Sequence, residues 1–188
     1  MKTLDEAWFW YCNARQSLTI LQRLAADYWD EFPWDDPSKT LREDELLLKS
    51  DAPSLAKEAG DVLSHLGDIA VVVLFSVFEA TVRTALATEV NQEIPNLKHP
   101  YLQWKAKTIL KAIEIGNVED IIMYYGKNLD KTLIEDIRKI RDYRNWVAHG
   151  RSGAARAAVE PKAAYELLRQ FLEAAGLAEA SSLPMPSA

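Results

Sequence analysis

The stretch Ile140-Arg-Asp-Tyr-Arg-Asn-Trp-Val-Ala-His-Gly-Arg151 gathers side chains suited to phosphate ester chemistry. A guanidinium such as that of Arg144 stays charged and matches phosphate oxygens with paired donors. An imidazole, here on His149, titrates near neutrality and serves as base or acid. RNA is cleaved without metal when one group takes the proton of the 2′-hydroxyl, a cation stabilises the charged phosphorane and an acid protonates the leaving 5′-oxygen. Arg144 and His149 fit those tasks. Asn145 is placed to orient His149 or hold phosphate, and Arg141 and Arg151 are candidate phosphate contacts.

These residues need a helix to hold them. Leu133, Ile137 and Ile140 recur at three- and four-residue steps, the spacing of one helix face, and Arg144 continues the stripe. A cation on an apolar stripe requires a carboxylate, a wet groove or a subunit interface, because an unpaired buried charge is costly. Glu79, at the end of an apolar run in an earlier helix, is the proposed partner. A pairing of Glu79 with Arg83, one turn on, is the rival reading. Arg141, Asn145 and His149 form a second stripe at i, i+4 and i+8. Asp130 reads as the cap that starts the helix, and Gly150 as a left-handed terminus that ends it. At about 100° per residue, positions five apart point roughly 140° away from each other, so one helix does not close a site around Arg144 and His149.

The segment Arg144-Asn-Trp-Val-Ala-His149 resembles the arginine, four to six residues, histidine motif of HEPN domains, including the frequent Asn directly after the Arg. The resemblance implies an all-helical fold and, in many members, a metal-independent ribonuclease of toxin–antitoxin or antiviral systems. Other members are non-catalytic binders of nucleotides or proteins. It further implies a homodimer whose two-fold axis brings a His and an Arg from each subunit into one cleft. RNA is the implied substrate, a 2′,3′-cyclic phosphate the product, and an antitoxin or other regulatory protein a further partner. HEPN domains often carry a polar residue on an earlier core helix facing the motif, and Glu79 is similar in kind. Some HEPN toxins have a modifiable Tyr two residues after the His. This chain has Arg151 there, so that control is not carried over.

Composition agrees with a single all-α domain over residues 1–177, a bundle of about five main helices with short additional ones, followed by a disordered tail at 178–188. A single Cys, Cys12, rules out an intrachain disulfide, and the charged start lacks the apolar run of a signal peptide, so a cytoplasmic location is expected. The apolar window at 69–78 is shorter than the roughly 20 residues that a bilayer requires, and no membrane partner is expected. The net charge of −6 is unevenly spread. Residues 1–97 hold 8 Lys+Arg and 17 Asp+Glu, residues 98–156 hold 12 and 7, and residues 157–188 hold 2 and 4. The basic share therefore surrounds the motif, and local potential rather than the sum attracts phosphate. Lys105, Lys107 and Lys111 mix with apolar residues as on any amphipathic helix, and a solvated face is the simpler reading for them.

Along the chain, residues 4–30 read as a first helix, and this end is rich in tryptophan at Trp8, Trp10, Trp29 and Trp34, with core packing a stronger expectation for these rings than stacking on bases or anchoring a partner helix. Two prolines break it at 33 and 37, and a short acidic helix follows at 41–49. Residues 54–92 form the central helix, apolar nearly all round from 69 to 78 and so expected to be covered on several sides by neighbouring helices or a second subunit. Its Val71-Val72-Val73 run would read as a strand if burial did not decide. Gly60 and Gly67 suit a close helix approach. Shorter helices follow at 101–115 and 118–125, and a last one begins at Pro161. His65 and His99 share no ligand spacing with His149, and no Cys-x-x-Cys, His-Glu-x-x-His, Gly-rich phosphate loop or nucleophile elbow occurs. No metal site and no cofactor is expected. The competing reading keeps every residue and removes the reaction: Arg144 pairs structurally with Glu79 or Asp142, and His149 merely ends a helix.

Overall fold

Burial overrides backbone preference in the longest element. The computed structural model describes residues 1–31 and 51–177, and among them the chain forms six α-helices and no strand. They are α1 (Leu4–Asp27), α2 (Ala52–Glu93), α3 (Pro100–Ile115), α4 (Val118–Gly126), α5 (Lys131–Ala148) and α6 (Pro161–Ala174). The all-α reading holds. The expected acidic helix at 41–49, Trp34 and the expected tail at 178–188 lie outside the described residues.

The helix α2 runs 42 residues through the Val71-Val72-Val73 segment without a break. Val71, Leu74, Phe75, Phe78 and Val82 are fully buried, and the roughly 1.5–3 kcal/mol gained per buried large apolar side chain outweighs the few tenths lost to β-branching. Asp51 starts α2 by accepting from the backbone N–H and the hydroxyl of Ser54, each at 2.9 Å. The cover around the apolar run is less complete than its composition suggests, since Ile69 stays 47% exposed and Ser76 is exposed as well. By length and composition this helix would suffice to cross a membrane. In the fold, 39% of its most apolar window is buried.

Two compact units are distinguishable. One comprises Met1–Trp8 and residues 68–177. Its core joins Phe75 and Phe78 of α2 to Ile122 of α4, Ile137 and Ile140 of α5, and Tyr165, Leu168 and Phe171 of α6, all buried. Phe78 meets Phe171 edge-on with centroids 5.3 Å apart. Trp8 stacks on Tyr165 at 5.1 Å, and the Tyr165 hydroxyl donates to Asp5 at 2.8 Å, so the start of α1 is pinned to α6. Trp8 is thus a core ring, as expected, whereas Trp10, expected in the core with it, is exposed on the far side of α1 from that contact. The other unit comprises Phe9–Gly67, where α1 and α2 approach closely at Gly60: a Cβ there would lie 2.9 Å from the Gln22 amide nitrogen.

Candidate functional site

The helix α5 begins and ends as its sequence dictates. Asp130 accepts from the Thr132 backbone N–H at its start, which holds the Asp130 carboxyl below the usual carboxylate range. At its end, His149 is the cap residue and Gly150 adopts a left-handed φ of 70°. Arg151 follows at φ 60°, a conformation that costs a non-glycine residue strain. Contacts at both ends of its side chain and backbone hold it there. Its guanidinium pairs with Asp68 of α2 and lies 5.7 Å from the Trp146 ring centroid, and its backbone N–H donates to the Trp146 carbonyl at 2.8 Å. Asp68 also accepts from the Tyr143 hydroxyl. Burial first, and then the charge of Glu160, push the Tyr143 hydroxyl above its ordinary value. Arg151, expected to contact phosphate, therefore has an intrachain carboxylate partner.

The stripe of Leu133, Ile137 and Ile140 is buried as predicted, and Arg144 follows it with its side chain 27% exposed. Its carboxylate partner is Glu79, at 3.2 Å. The rival pairing is present too, because the two oxygens of Glu79 serve different cations. Oε1 accepts from Arg83 at 2.6 Å while Oε2 accepts from Arg144. Arg144 also donates to the Asn145 side-chain oxygen at 2.9 Å, and its guanidinium carbon lies 5.5 Å from the Phe75 ring centroid. Its Nε is buried without a hydrogen-bond partner. Asp142, the other candidate for Arg144, instead pairs with Arg141 at 2.9 Å. Arg141 pairs with Glu119 as well, and Glu119 takes Arg138 at 2.6 Å.

Around these groups lies an open pocket of about 390 Å³. It is lined by Glu79 and Arg83 of α2, Gly116, Asn117 and Val118 at the junction of α3 and α4, and Arg141, Arg144 and Asn145 of α5. Three guanidiniums and one carboxylate lie along this lining, with Arg141 also paired to Glu119 and Asp142 outside it. The junction is built tightly. Arg83 donates to the carbonyls of Ile113 and Gly116, the latter at 2.8 Å, and so closes the end of α3. A Cβ on Gly116 would stand 2.3 Å from the Ala112 carbonyl oxygen, which reserves the position for glycine. Asn117 caps α4 by accepting from the Glu119 backbone N–H at 3.1 Å.

The structure thus brings Arg141, Arg144, Asn145 and Glu79 together, and leaves His149 exposed at the end of α5 outside the pocket lining. Arg83 joins the site from the helix of Glu79, Asn117 from the α3–α4 junction, and Glu119 through its pairing with Arg141. Their only advance signals are the i, i+4 pair Glu79/Arg83 and the Gly-Asn turn at 116–117. No cluster of His, Cys, Asp or Glu suited to a metal ion occurs among the described residues. No family model, curated protein or solved structure matches this chain.

Proposed function

We propose that the chain is a metal-independent endoribonuclease of HEPN type, a toxin or phage-defence component acting as a homodimer. The observation that carries this reading is the guanidinium pocket on α5, with Arg144 and Asn145 in its wall and an exposed imidazole at the end of the same helix. An anionic phosphate suits the pocket and a proton-transfer group suits the exposed position. Within one chain the two are separate, as their five-residue spacing requires, so a two-fold pairing of α5 with its copy must complete the site. In that composite cleft His149 takes the 2′-hydroxyl proton and the resulting oxyanion attacks the adjacent phosphorus. Arg144 stabilises the phosphorane, and the second subunit's imidazole protonates the departing 5′-oxygen. The products are a 2′,3′-cyclic phosphate and a free 5′-hydroxyl.

The test is incubation of the full chain with single-stranded RNA in the presence of a chelator. Cleavage leaving 2′,3′-cyclic phosphate ends is expected, and His149→Ala reduces it by at least about 10²-fold with an unchanged melt and dimer mass. Intact RNA at every protein concentration would refute the reading. One observation favours a second reading. Arg144 is held by Glu79 and Asn145 and covers Phe75, which is what a structural ion pair in a non-catalytic, HEPN-like binding module would look like. On that reading Arg144→Ala costs stability alone, and RNA stays intact whether or not His149 is present.

A further inference from the structure

The outer face of α3 is covered by nothing among the described residues. Tyr101, Trp104, Thr108, Lys111 and Ile115 follow one another at three- and four-residue steps, and all are exposed. They stand opposite Ala106 and Ile113, the buried residues of this helix. Trp104 is 57% and Tyr101 55% exposed, a large cost for two rings that could have been buried. The rings lie 5.8 Å apart, tilted by 35°, and the Lys105 ammonium sits 4.9 Å from the Trp104 centroid and 5.7 Å from that of Tyr101. Residues 98–113 contain four lysines and no acidic residue. Among the described residues Lys105, Lys107 and Lys111 have no carboxylate partner, in contrast to the arginines of α5.

We infer that this face binds single-stranded RNA, with bases stacked on Tyr101 and Trp104 and phosphates held by Lys105 and Lys111. Exposed aromatics with adjacent cations are what an unpaired strand recognises, because every base has a stacking face and every phosphate a charge. Trp104 and Lys111 are seven residues apart, about 10 Å along the helix, so stacking and charge contacts fall on successive nucleotides of one strand. A second copy of the chain is the poorer occupant. It would oppose Lys105 and Lys111 to their own images, with Glu114 the one carboxylate on the helix to offset them. The inference rests on the RNA-directed reading above, but it concerns binding and needs no reaction.

The test uses the full chain carrying His149→Ala, so that RNA stays intact, and a labelled 12-nucleotide oligouridine followed by fluorescence anisotropy. Trp104→Ala is expected to weaken binding about tenfold, and Trp104→Phe to stay within about threefold of the parent. Lys105→Ala and Lys111→Ala each flatten the dependence of log affinity on log salt by about 0.7. These positions are exposed, so thermal melts should match the parent, and sedimentation reports the mass of each variant. An affinity unchanged by Trp104→Ala overturns the inference, and so does a loss of dimer mass in that variant at constant RNA affinity, which would assign the face to protein contact. Binding that depends on Trp104, with no cleavage by the unmodified chain, upholds the face and removes the nuclease. Cleavage whose KM ignores Trp104→Ala upholds the nuclease and removes the face.

Discussion

The arginines of α5 and the lysines of α3 belong to the same basic third of the chain, yet their surroundings differ. Around the pocket each guanidinium meets a carboxylate: Arg144 of α5 and Arg83 of α2 share Glu79, and Arg141 and Arg138 of α5 share Glu119. On α3 the ammonium of Lys105 rests over aromatic rings, and neither it nor Lys107 nor Lys111 has a carboxylate partner among the described residues. A paired, partly buried cation is fixed in direction and has already lost its side-chain entropy, so it positions a ligand at the cost of competing with its own carboxylate. An exposed, unpaired cation attracts at longer range and yields to salt. The difference separates cations fixed by carboxylates from cations left open to solvent.

The comparison breaks most clearly on stability. Arg144→Ala strips Glu79 of one of its two cations and uncovers Phe75, and is expected to cost about 2–3 kcal/mol in a denaturant melt. Lys111→Ala should leave the same melt unchanged. Equal losses from both would show that α3 is as structural as α5. Next in size, Gly116→Ala pushes a methyl against the Ala112 carbonyl and must shift the α3–α4 junction, at about 2 kcal/mol. Because Gly116 and Asn117 line the pocket, the same variant should weaken anion binding there, measurable by the protection that inorganic phosphate gives against heat. Asn117→Ala removes the cap of α4 at about 1 kcal/mol, and Asn117→Asp should retain it. The smallest expected effect is on alkaline stability. Burial, followed by the hydrogen bond to Glu89, pushes the Tyr125 hydroxyl well above its ordinary value, and Tyr165 is raised by burial and by Asp5. Folded tyrosines thus keep protons that the unfolded chain releases above about pH 10. The tyrosines' contribution to stability should be constant below that pH and fall above it, and Tyr125→Phe should make the fall shallower.

Much of the frame was legible in the residues because it depends on local periodicity. The helix of the motif, its Asp130 cap, its Gly150 terminus and the buried stripe ending at Arg144 follow from spacing and capping chemistry alone. So does the Glu79 partner, since a cation at an apolar position must find a carboxylate and Glu79 closes the main apolar run. The Arg151 assignment shows where this logic stops. An arginine beyond a helix end looks free, but Asp68 lies 83 residues away in sequence and only the fold brings it near.

What the amino-acid order determined by itself is helical class, the position of each main helix and the polarity of each face, because these arise from interactions within a few residues. Tertiary structure alone decided that α3 and α4 meet beside α2 and α5 to make an arginine-lined pocket, that Glu79 and Glu119 are each divided between two cations, and that Tyr101 and Trp104 remain in water. Those outcomes depend on which faces are left over once the core around Phe75, Phe78 and Phe171 has closed, and packing of distant segments is not written in any local pattern.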